Sequence, residues 1–117
     1  MTSVTCVFAM ELPVAASYSC QPHAHSCTEL VLSDGSDGHI IRGDDAWPYS
    51  DGDLAVYQPG ATHWVRNRRA GTHHCIGIIG CGADQLAMGV YPAGRDTTRH
   101  IAAIMAQARR HDPWRAN

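Results

Sequence analysis

Lysine is missing from this chain altogether and glutamate nearly so: all 9 cationic side chains are arginine, and Glu11 and Glu29 are the only two glutamates among 11 acidic residues. Without lysine, Schiff-base chemistry is excluded. The net charge of −2 lacks the basic excess of a free-standing nucleic-acid binder, so this chain alone is expected to bind no nucleic acid. Long apolar runs are missing too. Gly, Ser or charge interrupts each one well short of the ~20 residues a membrane span needs. The amino-terminal "MTSVTCVFAMELP" has no basic segment before its apolar part, so neither anchor nor secretion signal is read, and a soluble cytoplasmic protein is expected. The five cysteines (Cys6, Cys20, Cys27, Cys75 and Cys81) are odd in number and contain no Cys-x-x-Cys pair. That argues against a disulfide framework and a zinc ribbon, and leaves them as small buried hydrophobes.

What is present fits one compact domain, since 117 residues at 44% hydrophobic fill a single core. Short apolar runs alternate with Gly, Asp, Ser and Pro every 8 to 12 residues or so, the pattern of an all-β sandwich or barrel. Strands are read at 4–10, 14–20, 29–33, 39–42, 46–50, 54–58, 63–67 and 72–80, enough to close a small barrel or jelly roll. Asp53, in the turn "DGD", is read as structural, bonding its own turn backbone.

The chain changes character after Gly82. Ile101, Ile104, Met105 and Ala108 recur at helical spacing, with Asp96 or Thr97 to cap the helix, Arg109 and Arg110 in its last turn and Pro113 to stop it. Residues 83–89 can add a short helical turn. The expected division is a β-barrel over 1–82 and a helical extension over 83–117, packed on the barrel or on a second subunit. Residues 95–117 hold five Arg and two Asp, which makes that tail +3 and the body −5; a solvated helix face is the plainer reading.

The chemistry concentrates in two stretches. "QPHAHSCTEL" places His23 and His25 one residue apart, four residues before the rare Glu29. On a strand the two imidazoles share a face. "GDLAVYQPGATHWVRN" reverses at Pro59 and Gly60, a pair suited to a tight turn, and aims His63 back toward a barrel mouth. Three histidines and a carboxylate make a mixed N/O set for a divalent ion, with positions left open for water or substrate. The alternative is that these histidines simply hydrogen-bond inside a polar barrel. His73 and His74 alternate faces, so at most one looks inward, and both read as ordinary strand residues. Trp47 and Trp64 read as packing or interface groups, with Trp47 also a candidate for the cavity wall. Tyr18, Tyr57 and His39 are the candidates for an auxiliary acid or base.

The stretches "HAHSCTELVLSDG" and "GDLAVYQPGATHWVRN" resemble the two motifs of the cupin superfamily, and the resemblance spans residues 15–80. It implies a double-stranded β-helix (jelly-roll) barrel with one metal held by His23, His25, Glu29 and His63, the ion being Zn, Fe, Mn, Ni or Co. It also implies a small-molecule ligand, for which Trp47, Tyr57 and Asn67 are the contact candidates. Pro59 and Gly60 are adjacent, where many metal-binding cupins have a residue between them. That form, with "HHCIGIIG" followed by a helix, resembles the sensor domains of AraC-type regulators. The functional expectation is therefore an effector-sensing domain, or a stand-alone relative, that forms a homodimer. The alternative is a mononuclear metal-dependent isomerase, lyase, cyclase or dioxygenase.

Overall fold

The computed structural model describes residues 4–80 and 82–111. Among these residues eight strands form two antiparallel sheets. The strands are β1 (Val4–Val14), β2 (Thr28–Asp34), β3 (Asp37–Arg42), β4 (Asp45–Tyr49), β5 (Asp53–Tyr57), β6 (Trp64–Arg69), β7 (Gly71–Gly80) and β8 (Gly89–Pro92). A five-stranded sheet runs in the order β1-β7-β2-β5-β8 and a three-stranded sheet in the order β4-β3-β6. A 3-10 turn (Ala83–Gln85) precedes β8, and helix α1 (Gly94–His111) follows it.

The expected number of strands is found, but one expected strand is absent and one forms where none is expected. Residues 14–20 do not form a strand. Instead β1 continues through Pro13 to Val14, pairing along β7 with one irregularity between Cys6 and Phe8. Proline is tolerated there because β1 is an edge strand, where a missing N–H need break no ladder bond. After it the chain turns, with Tyr18 N–H on the Ala15 carbonyl at 3.1 Å. Ser19 then makes an isolated bridge to Arg66. The other correction concerns the segment after Gly82, which is not helical throughout. The 3-10 turn falls where a short helical turn is expected, but β8 then pairs with β5 and completes the larger sheet.

Alternation along the strands builds two cores. Val31 and Cys75 point between the sheets, where they meet Ile40, Tyr49, Ala55, Tyr57 and Val65. Their neighbours Leu32 and Ile76 point to the opposite face, and Ile101 and Met105 of α1 cover them together with Ala9. The larger sheet is thus buried on both faces at its centre, which is why "LVL" in β2 is continuously apolar. Ile101 and Met105, one turn apart, anchor α1 to its own barrel, while Ile104 is exposed. The side chain of Ala108 and the expected stop at Pro113 lie outside the described residues.

Gly38 shows how closely the smaller sheet is fitted. It pairs with Tyr49 on one side and Asn67 on the other, and the Tyr49 hydroxyl donates to Asn67 Oδ1 across it at 2.6 Å. A Cβ at Gly38 would lie 2.3 Å from the Arg66 carbonyl oxygen and 2.8 Å from Asn67 Cα, both backbone atoms. Gly38→Ala is therefore expected to destabilise the protein by about 3 kcal/mol, at the upper end of overpacking penalties. Urea unfolding would read it, and an unchanged midpoint would contradict the fit.

Candidate metal centre and cavity

The turn at Pro59 and Gly60 forms as expected. The Gln58 carbonyl accepts the Ala61 N–H at 3.1 Å, and Gly60 takes φ +76°, the conformation a type II turn requires at its third position. The Gly60 N–H donates to the His25 carbonyl at 2.8 Å, tying this turn to the first histidine segment. One step further, His23 and His63 exchange both backbone hydrogen bonds, at 3.0 and 2.9 Å. Two segments forty residues apart thus become neighbours at one isolated bridge. Their ring centroids lie 4.5 Å apart, and His25 sits 5.1 Å from His23.

Glu29 enters from β2, flanked by Tyr57 on β5 and Gly77 on β7. Its Oε1 lies 3.3 Å from His63 Nε2 and 3.6 Å from His25 Nε2. The ligating atoms of His23, His25, Glu29 and His63 all fall within 4.8 Å of one another. Two ligands at about 2.1 Å from a shared ion can be no more than about 4.2 Å apart, so binding requires only a small inward movement. His63 is nearly inaccessible, whereas the His25 side chain is 35% exposed and leaves one side of the cluster open.

The outer hydrogen bonds decide what this cluster can hold. His63 Nδ1 lies 2.8 Å from the Ala61 carbonyl, and His23 Nδ1 lies 2.9 Å from the Gln21 carbonyl. A carbonyl only accepts, so both Nδ1 atoms carry a proton, and Nε2 is the ring atom left to bind an ion. His63 Nε2 is buried without a hydrogen-bond partner. This nitrogen faces a carboxylate oxygen at 3.3 Å, an arrangement that a cation held between them satisfies. Tyr57 stacks on the His63 ring at 3.6 Å and 12° and holds its orientation. Burial, with Glu29 adding to it, raises the Tyr57 phenol well above its ordinary range and keeps it protonated.

The cluster opens on a cavity of about 480 Å³, walled largely by Phe8, Met10, Leu12, Val31, Val65 and Cys75. Burial pushes the Cys75 thiol up to about 12, so it meets the cavity as a neutral, weakly polar group. Tyr57 and Tyr18 line this space. The other contact candidates do not. Asn67 is buried with its amide committed to the Ala15 and Arg69 carbonyls, both at 2.7 Å, and its oxygen taken by Tyr49. Trp47 packs against the core from β4. His39 is exposed on β3. Asp53 accepts the Ser50 N–H at 2.8 Å, a turn role as expected. Among the described cysteines Cys27 and Cys75 are buried, Cys20 is partly buried, and Cys6 is exposed.

His73 is the cavity residue that the sequence reading passed over. The pair divides as strand alternation requires: His74 lies on the outer face between Glu11 and Asp34, and His73 turns inward to the cavity wall. The available signal was parity, because His73 shares a face with Cys75 and Gly77.

No protein-family model and no curated protein matches the sequence. A solved structure does: the crystal structure of a Cupin 2 conserved barrel domain protein from Salinispora arenicola CNS-205 matches with a TM-score of 0.50 and 13% identity, over 88% of this chain and 84% of that one. The fold is the cupin jelly roll, mostly antiparallel β with a carboxy-terminal helix. No helix among the described residues is long and apolar enough to cross a membrane.

Proposed function

We propose that this chain is a metal-binding, small-molecule-binding cupin domain that serves as an effector sensor of the AraC type, or as a stand-alone relative of one. The observation that carries the metal reading is the buried, unpartnered His63 Nε2 set 3.3 Å from Glu29 Oε1. The ligand reading rests on the cavity above it, whose apolar walls suit an organic molecule rather than a bare ion. A bound divalent ion would supply Lewis acidity to an oxygen of that molecule. His23, His25, Glu29 and His63 would hold the ion, and Tyr57 would keep His63 in place.

Catalysis is the second reading, favoured by the open side of the cluster at His25, where a substrate oxygen can approach. The two readings separate when metal-loaded protein is incubated with a panel of small organic acids, ketones and sugars. A sensor shows thermal stabilisation by one compound class with the compound recovered unchanged. An enzyme shows a mass change in the compound that disappears in His63→Ala. Loading itself is read by elemental analysis of untagged protein; protein that stays empty after incubation with Fe(II), Mn(II), Ni(II), Co(II) and Zn(II) at neutral pH would contradict the metal reading.

The proposal includes a homodimer. The edge strand β1 and its neighbour β7 expose Val4 and Ile79, and an apolar sheet edge favours pairing with a second copy. Light scattering is expected to give twice the chain mass, and a monomer at high protein concentration would count against it.

A further inference from the structure

The cavity has a second polar pole, distant from the His/Glu cluster. On β7, Gly77 pairs with Glu29 and His73 pairs with Ser33. At about 3.3 Å per residue, the four-residue step from Gly77 to His73 corresponds to about 13 Å between their Cα atoms along the strand. The His73 side chain lines the cavity, is only 4% exposed, and its Nε2 has no hydrogen-bond partner. Its nearest aromatic neighbour, Tyr49, meets it edge-on at 5.5 Å and has its hydroxyl committed to Asn67. Buried polar atoms nearly always have partners, so an orphan on a residue of the cavity wall points to a group that arrives with a ligand and reaches it by a small displacement of the wall. Burial, and secondarily His74, lowers the His73 imidazole to about 4, against a smaller upward pull from Glu29. At neutral pH the ring is uncharged and offers a lone pair or an N–H.

We propose that His73 is the specificity-determining contact for the far end of the cavity's ligand: an elongated apolar molecule with a chelating oxygen group at the His/Glu cluster and an uncharged hydroxyl at His73 Nε2. Only the near end of this assignment rests on the metal reading. A hydroxyl both donates and accepts, so it satisfies His73 in either tautomer. A charged group is disfavoured there, because the neighbouring wall is Leu12, which pairs with His73, and Cys75. The backbone spacing sets only the scale of such a ligand, for which a phenyl ring on a short linker is a suitable probe.

The test compares two hydroxamate chelators, 3-phenylpropanohydroxamic acid and its 4-hydroxyphenyl counterpart, by calorimetry on Ni(II)-loaded protein. Wild type is expected to bind the hydroxylated probe about tenfold more tightly, as one buried hydrogen bond allows. His73→Leu should close that gap to within about twofold, and His73→Gln, which keeps a polar atom near Nε2, should restore part of it. Because His73→Leu removes an unsatisfied buried group, its Tm should be at or above wild type, which separates a lost contact from a damaged fold. Equal affinities in wild type, or a gap that survives in His73→Leu, would overturn the assignment. The pair 4-ethylphenol and ethylbenzene, with metal-free protein, reads the same hydrogen bond without the ion. If the hydroxamates fail while wild type prefers the phenol and His73→Leu does not, the metal reading falls and the role of His73 stands. No preference in either pair overturns His73 itself.

Discussion

Glu29→Gln is expected to strip the centre of metal while making the metal-free protein more stable, two effects of opposite sign from one substitution. The carboxylate is the only anionic member of the cluster, and its Oε1 is the atom nearest both His25 and His63 Nε2. Replacing it with an amide removes that charge and should weaken divalent binding by at least about 100-fold, more than the 10- to 100-fold typical of losing an outer hydrogen bond. In the metal-free protein, however, the amide N–H₂ can donate to the His63 Nε2 lone pair that otherwise lacks a partner. Satisfying a buried acceptor contributes about 1 kcal/mol or more. Metal content by elemental analysis, with unfolding in chelator, reads both effects. His63→Ala should lose metal without the gain in stability, and His74→Ala, on the outer face, should do neither. Metal should also leave on acidification, because protons compete for the same lone pairs. Wild-type metal content in Glu29→Gln would sink the assignment of this carboxylate as a ligand.

The second large effect belongs to His73 and acid. Burial lowers this imidazole from 6.5 to about 4. Between those values the unfolded chain binds a proton that the folded chain refuses, so stability is full above about pH 6.5 and falls as the pH drops toward 4. At 1.36 kcal/mol per unit, the loss over that window is about 3 kcal/mol. Urea unfolding in chelator at pH 7 and pH 4.5 should show wild type losing more stability than His73→Leu by most of that amount. Comparing the two proteins cancels the other groups that titrate in the same range. Equal losses would mean that the folded ring takes its proton as readily as the unfolded one.

How much was legible depended on whether a feature was local. The turn at Pro59 and Gly60 follows from two residues whose backbone preferences need no tertiary help, and it forms with φ +76° at Gly60. Asp53 could be placed in a turn for the same reason. The sequence suggests a separate strand at 14–20 because Pro13 signals a break in isolation. Whether it breaks anything depends on whether its missing N–H faces a neighbour, and that is known only once β1 is seen to be an edge. Strand β8 leaves no sequence signal because "GVYP" is too short to show a period, and its pairing partner β5 supplies what its own pattern does not. Asn67 and Trp47 were drawn toward the cavity by their chemistry, but their strands direct them to a hydrogen-bond network and to the core.

For the site the division is sharper. The sequence by itself determined which donors exist and that His23 and His25 can act together, because residue type and a spacing of two are properties of the chain. Tertiary structure decided the rest. The bridge between His23 and His63 brings the two segments together. The Ala61 and Gln21 carbonyls fix which ring nitrogens face inward. The position of β7 in the larger sheet turns His73 toward the cavity and His74 away from it. Strand alternation alone says that two adjacent histidines face opposite ways; which face is the inside is set by the sheet packed against it.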